Sequence, residues 1–169
     1  TCVGRNGFSG CTSLTDVVWS SSLKYIDEDA FRKCASLTQA ILPSSLISIG
    51  FYAFASCTAL AQVYLPDSVT ELGDEVFYYC SGLIDLRLPN GIETIPSDLL
   101  FGAGSVELNL IIPSSVTKIA EGAFRSAKLK SIYIPKSVKI IANSTSFSST
   151  KNIFASVNSD AQIYCEASS

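Results

Sequence analysis

Apolar residues return along this chain in two alternating groups. The first group is Leu37, Ala40 and Leu42, then Leu60, Val63 and Leu65, then Leu83, Leu86 and Leu88, then Leu110 and Ile112, then Leu129, Ile132 and Ile134. Its last three positions read in, out, in, which is the period of a strand. The second group is Leu23 and Ile26, Leu46 and Ile49, Val69 and Leu72, Ile92 and Ile95, Val116 and Ile119, and Val138 and Ile141. Between the groups lies a segment of the form A-F-x-x-C, as in Ala30 to Cys34, with room for no more than one helical turn. Phe8, Phe31, Phe54, Phe77, Phe101, Phe124 and Phe147 mark the repeat, 23 residues apart except for one gap of 24. Pro43, Pro66, Pro89, Pro113 and Pro135 keep step.

A unit with one short strand, one helical turn and a proline corner cannot bury its apolar face alone, so neighbouring units must stack. The expected fold is a repeat solenoid. It would be a right-handed coil with a parallel β-sheet on one face and short helical turns or strands on the other, and an aromatic spine of stacked phenylalanines. Seven rungs at a strand spacing of about 4.8 Å make a rod roughly 30 Å long. The whole chain, 1–169, reads as one domain of about seven units. The first is truncated, since "VGRNGF" matches "IGFYAF", and 148–169 form a C-terminal cap in which "AQIYC" echoes "AQVYL". The chain contains no methionine and opens at Thr1, so it reads as a piece of a longer protein. Extra residues are expected in Ile95 to Phe101 and in Ile141 to Phe147, and one is missing between Phe124 and Pro135.

The units "DAFRKCASLTQAILPSSLISIG" and "AFASCTALAQVYLPDSVTELG" resemble the BspA-type leucine-rich repeat, and the resemblance covers nearly the whole chain. It implies a solenoid, and a surface-exposed, adhesin-like protein that binds host or matrix proteins from an extracellular or cell-surface location. Function must still be argued from a site, because a fold carries many functions.

Composition narrows the classes. With 47% hydrophobic and 16% charged residues the chain is globular rather than disordered, and no apolar run is long enough for a membrane span. A net charge of −3 argues against nucleic acid as a partner. Histidine is absent, which removes the commonest general base, so no enzyme and no catalytic residue is expected. The carboxylates at Asp27, Glu28 and Asp29 and at Asp74 and Glu75 read as solvated turn charges, and "GAG" at Gly102 to Gly104 lacks the strand and helix that a phosphate cradle needs. Asn143 opens an "NST" glycosylation sequon.

Cys11, Cys34, Cys57 and Cys80 stand in register, with Gly104 and Ala127 at the same place in the next two units. Rungs about 4.8 Å apart put the outer two thiols about 14 Å from each other, too far for one zinc with bonds of about 2.3 Å. Glycine and alanine in the column favour a buried ladder of small side chains over disulfides. No metal and no cofactor is expected. Cys2 and Cys165 read as free.

Binding is left to the surface. Alternation along the strand turns Asp16, Gln39, Gln62, Asp85, Asn109 and Ser131 outward in one file, and Val18, Ile41, Tyr64, Arg87, Ile111 and Tyr133 in another, with Tyr164 if the cap aligns. Tyrosine, arginine and aliphatic side chains on an exposed sheet match the make-up of interface hot spots, so Ile41, Tyr64, Arg87, Ile111 and Tyr133, flanked by Gln39, Gln62 and Asp85, are the candidate binding residues for a protein ligand. The competing explanation is that such residues favour strands whichever way they point. Trp19 takes a core leucine position. Charge is lopsided: twelve acids and four bases from Asp16 to Glu107, then seven bases and only Glu121 as an acid from Lys118 to Lys151. That basic third suits an acidic glycan. A structural spacer or an intracellular scaffolding stack is the alternative to an adhesin.

Overall fold

The computed structural model describes residues 1–105, 107–141 and 160–166. Two files of short parallel strands run along the stack. The long-strand file holds β3 (Gln39–Ile41), β5 (Gln62–Tyr64), β7 (Asp85–Arg87), β9 (Asn109–Ile111), β11 (Ser131–Ile134) and β13 (Gln162–Cys165). The short-strand file holds β1 (Cys2–Val3), β2 (Tyr25–Ile26), β4 (Ser48–Ile49), β6 (Glu71–Leu72), β8 (Thr94–Ile95), β10 (Lys118–Ile119) and β12 (Ile140–Ile141). Strands pair with the equivalent strand one rung away, Gln62 opposite Gln39 and Asp85, and Ile49 opposite Ile26 and Leu72. The echo at Gln162–Cys165 does pair as a strand, Tyr164 opposite Tyr133.

The helical turn expected at A-F-x-x-C is absent, and no helix occurs among the described residues. Each rung instead makes two successive tight turns. Their left-handed residues lie four apart: Asn6 and Gly10, Asp29 and Lys33, Tyr52 and Ser56, Glu75 and Tyr79, Asp98 and Gly102, Gly122 and Ser126. A residue in that region breaks the right-handed run a helix needs. It also frees alternate N–H groups to bond along the stack. Phe31 N donates to Ala53 O at 2.8 Å and Lys33 N to Ala55 O at 2.7 Å, while Phe54 N and Ser56 N repeat the pattern to Val76 O and Tyr78 O. Rungs are therefore hydrogen-bonded at the turns as well as in the strands.

Both apolar groups fill the interior, from Leu37, Ala40 and Leu42 to Leu129, Ile132 and Ile134, except at the last described rung, where Val138 is half-buried and Ile141 is exposed, and among the described residues no polar side chain is buried with them. Phe8, Phe31, Phe54 and Phe77 form the expected spine, with ring centroids 5.1, 5.3 and 6.0 Å apart. Phe101 does not continue it. Phe77 N donates to Leu99 O and Leu100 N to Ala123 O, so Leu100, fully buried, holds the place between Phe77 and Phe124. The one extra residue of the fifth unit thus follows Leu100 and the spine rather than preceding them. The small-residue column shifts with them: Ala103, not Gly104, aligns with Cys80, since Ala103 N bonds Leu100 O as Cys80 N bonds Phe77 O. Leu108 then turns inward to fill the core. Phe147 and Asn143 lie outside the described residues.

All six cysteines are free thiols, and Cys34, Cys57 and Cys80 form the buried ladder. Each thiol donates to the carbonyl of the phenylalanine one rung back, to Phe8 at 3.1 Å, Phe31 at 3.1 Å and Phe54 at 3.0 Å. Cys11 is the exception; on the first rung its side chain is exposed. The serine of L-P-x-S works in the same direction, with Ser45 and Ser68 donating to Leu23 O and Leu46 O at 2.6 and 2.7 Å. Trp19 is half-buried and packs edge-on against Phe31, with centroids 5.4 Å apart, as a core residue would.

Candidate functional site

The long-strand file presents the outward residues that alternation predicts. Ile41, Tyr64, Arg87, Ile111 and Tyr133 are exposed, as are Gln39 and Gln62, while Asp85 is half-buried. Register puts Ile41, Tyr64 and Arg87 side by side on β3, β5 and β7, with Gln39, Gln62 and Asp85 beside them. Ile111, Tyr133 and Tyr164 form a second row on β9, β11 and β13. The file is not one continuous sheet: it divides between β7 and β9, where the insertion after Ala103 offsets the fifth unit. The candidate residues therefore form two three-stranded patches.

In the first patch the polar groups hold one another. The Tyr64 hydroxyl donates to the Asp85 carboxylate, and that bond raises the tyrosine's pKa. Arg87 reaches Asp67 Oδ2 at 3.3 Å. Asp67 Oδ1 accepts from the backbone and side chain of Asn90 at 3.0 and 3.1 Å. The Asn90 backbone N–H is the largest cause of a lowered Asp67 pKa, so the carboxylate stays charged beside Arg87. In the second patch Ser131 donates to Asn109 Oδ1 at 2.6 Å and Tyr164 to Gln162. Tyr133 has a raised pKa, from burial first and then from Glu166. The bonds Tyr64–Asp85, Arg87–Asp67 and Ser131–Asn109 thus tie exposed polar side chains to neighbours on adjacent rungs.

A second aromatic row was missed in the sequence. It runs outside the spine, along the turn edge. The Arg32 guanidinium lies 5.2 Å from the Tyr52 ring centre, Tyr52 meets Tyr78 edge-on at 5.6 Å, Tyr78 stacks on Phe101 at 5.0 Å, and Arg125 covers Phe101 at 4.5 Å. Two arginines thus cap a row of three rings. Phe51 and Tyr79 project from it, exposed by 36% and 47%. The signal was present in "FYAF", "VFYYC" and "LLFGAG", in the column Arg32, Tyr78, Phe101 and Arg125. It was hidden by assigning Phe101 to the spine.

The basic third does not gather on one surface. Lys128 and Lys130 precede β11, Lys136 follows it, and Lys118 and Lys139 lie at the short-strand file. Lys130 pairs with Glu107 at 3.7 Å. Among the described residues no group of histidine, cysteine or carboxylate side chains could hold a metal ion, and no helix is long and apolar enough to cross a membrane.

Rungs that each lend a strand to a parallel ladder and bury their apolar residues only against neighbours define a leucine-rich-repeat solenoid. The family model of the BspA type leucine rich repeat region matches residues 1–108 and 105–163 in six copies, and the chain belongs to that family. No curated protein matches it. Among solved structures, a leucine rich cell surface protein of Faecalibacterium prausnitzii is 25% identical with a TM-score of 0.53, over 99% of this chain and 58% of that one. A leucine-rich repeat protein of Bacteroides ovatus is 23% identical with a TM-score of 0.62, over 98% and 52%. The T. pallidum leucine rich repeat protein is 25% identical with a TM-score of 0.52, over 85% and 63%. The chain spans between half and two thirds of the length of these proteins.

Proposed function

We propose that this chain is a non-enzymatic protein-binding module, displayed at a cell surface or secreted, that engages a host or matrix protein through its long-strand face. The observation that carries this reading is the row Ile41, Tyr64 and Arg87: three exposed side chains of hot-spot type, in register, two of them held by Asp85 and Asp67. A partner laid across the patch would meet an aromatic and a guanidinium at its centre, where truncation costs most. Family membership and the likeness to a cell surface protein support the location. An acidic glycan at the lysines is a weaker reading, since the lysines are divided around the stack. The mutual bonding within the patch also suits a structural spacer or scaffold that binds nothing there.

The test is interferometry against a panel of purified extracellular-matrix proteins. Truncating Tyr64 and Arg87 to alanine should each cost about 2 kcal/mol, roughly 30-fold in affinity, with the melting temperature nearly unchanged because neither side chain is in the core. Binding that survives the double change but is lost when Lys128, Lys130, Lys136 and Lys139 are neutralised would move the site to the basic third. No binding by any member would favour the spacer.

A further inference from the structure

Both strand files break at the same level. β6 pairs with β4 and β8 with β10, but β6 and β8 do not pair, and β7 and β9 likewise fall in different sheets. The fourth rung, with β6 and β7, and the fifth, with β8 and β9, are therefore joined by no strand hydrogen bond among the described residues. Local sequence accounts for each gap. In the short-strand file Gly50, Gly73 and Ala120 follow their strands and donate N–H to Ile26 O, Ile49 O and Ile95 O at 2.7, 2.8 and 2.9 Å. Pro96 stands at that place in the fifth rung and has no N–H to give Leu72 O. Gly91 replaces the serine that, as Ser45 and Ser68, bonds back along the stack. A Cβ there would lie 2.3 Å from Val69 O, so a serine would have to displace the backbone. In the long-strand file Leu42, Leu65 and Ile112 donate to Tyr64 O, Arg87 O and Tyr133 O at 3.1, 3.1 and 3.0 Å. Leu88 makes no such bond to Ile111, because the extra residue after Ala103 offsets β9.

The bonds that do join these rungs lie on one line across the stack. At the turn edge Glu75, Phe77 and Tyr79 donate N–H to Ser97 O, Leu99 O and Phe101 O at 3.0, 3.1 and 2.8 Å, and Ser97 N donates to Asp74 Oδ1 at 2.8 Å. At the proline corner Asn90 donates through its backbone and its side chain to Asp67 Oδ1 at 3.0 and 3.1 Å. Chain order within a rung is short strand, turn, long strand, corner, so turn and corner occupy opposite ends and the two files opposite sides. Bonds at the ends with none along the sides make a pivot. Rotation about the line from turn to corner opens one file as it closes the other, and it stretches no ladder bond. The short-strand side has room for it. A groove of about 990 Å³ crosses the break there, with Glu71, Leu72 and Gly73 on one side of it and Gly91 to Thr94 on the other. Leu72 is only half-buried, where Ile26, Ile49, Ile95 and Ile119 in the same column are buried. We propose that the boundary between the fourth and fifth rungs is a hinge, about which the rungs before it and the rungs after it rock as two blocks toward either strand face. The motion re-aims the row Ile41, Tyr64 and Arg87 against the row Ile111, Tyr133 and Tyr164 without disturbing the pairing inside either. It belongs to the free chain and requires no partner.

Distances across the stack test the hinge. Cys11→Ser leaves Cys2 and Cys165 as the exposed thiols, on the first and last strands, ready for spin labels. Double electron–electron resonance on this parent should give a broad or two-peaked distribution of distances between them. Adding Glu71→Cys with Thr94→Cys puts thiols at equivalent positions of β6 and β8, and mild oxidation before labelling ties the short-strand side of the break. Adding Ser48→Cys with Glu71→Cys instead ties β4 to β6, which already pair at those residues, as a control. Intact mass confirms each tie, and unchanged circular dichroism confirms the fold. The tie across the break should narrow the distribution about twofold and move its mean, whereas the control tie should leave the parent distribution in place. A parent as narrow as the tied protein, equal effects of the two ties, or thiols on β6 and β8 that never cross-link would overturn the proposal.

Discussion

Alkali should weaken this protein more than it weakens a form without the inner thiols. Cys57 and Cys80 are fully buried. Removal from water pushes both pKa values up, with Cys80 and Cys34 adding to the effect at Cys57, and Cys80 reaches about 12 from its ordinary 9.0. An unfolded thiol ionises near the ordinary value and a buried one does not, so above pH 9 the unfolded chain releases protons that the native chain keeps. The stabilisation is complete below pH 9 and falls as pH climbs toward the native value. One such thiol contributes a loss of about 1.4 kcal/mol by pH 10, and the pair about 2–3 kcal/mol. That is a sizeable share of a total stability of about 5–15 kcal/mol. The perturbation is Cys57→Ala with Cys80→Ala, tolerable because Ala103 and Ala127 already hold that column in the next two rungs. Urea unfolding in reductant between pH 7.5 and 10 is the assay. The variant should begin less stable by about 1–2 kcal/mol, for the lost thiol bonds and packing, and the gap should close before pH 10 and reverse by about 1 kcal/mol there. The range stops there because Tyr52, raised to about 12 by burial and by Glu75, acts above pH 10 in both proteins. Parallel curves for the two proteins would refute the reasoning.

Phe54→Ala should cost about 3–5 kcal/mol in a urea titration, since its ring is buried between Phe31 and Phe77, whereas Phe101→Ala on the turn edge should cost clearly less. Gly102→Ala should lower stability by at least about 1–2 kcal/mol, because its backbone is left-handed and an added Cβ would lie 2.7 Å from the Tyr79 ring; a neutral substitution would mean that the turn relaxes. Alkylation of the native protein should label Cys2, Cys11 and Cys165, the exposed thiols, and leave Cys34, Cys57 and Cys80 for the unfolded chain, as intact mass would count.

The period, both apolar groups and the outward files of the long strand were legible because alternation and spacing are direct consequences of backbone geometry. What the sequence did not disclose was local. A-F-x-x-C has the length of a helical turn, and nothing in Tyr52, Ser56, Glu75 or Tyr79 announces a left-handed backbone, which the stack imposes through bonds between rungs. The fifth unit misled for a related reason. Leucine and phenylalanine are adjacent at Leu100 and Phe101, either could fill the spine, and only the register of the neighbouring turns decides. The same one-residue choice moved the small column from Gly104 to Ala103 and concealed the outer aromatic row. For the candidate site, the sequence supplied the exposed side chains but not their partners: Asp67 with Arg87 and Asp85 with Tyr64 lie 20 and 21 residues apart, and meet because they sit on adjacent rungs.

Hydrogen bonds between rungs point along the stack in both strand files and at the turns. A force applied to the two ends therefore acts along those bonds rather than across them, and meets them one rung at a time. Each rung that peels away releases about 23 residues, roughly 75 Å of slack at full extension, while the rungs behind it keep their core. Tethered between two surfaces, such a molecule would behave as an extensible spring that lengthens in steps under modest load and shortens again when the load is removed.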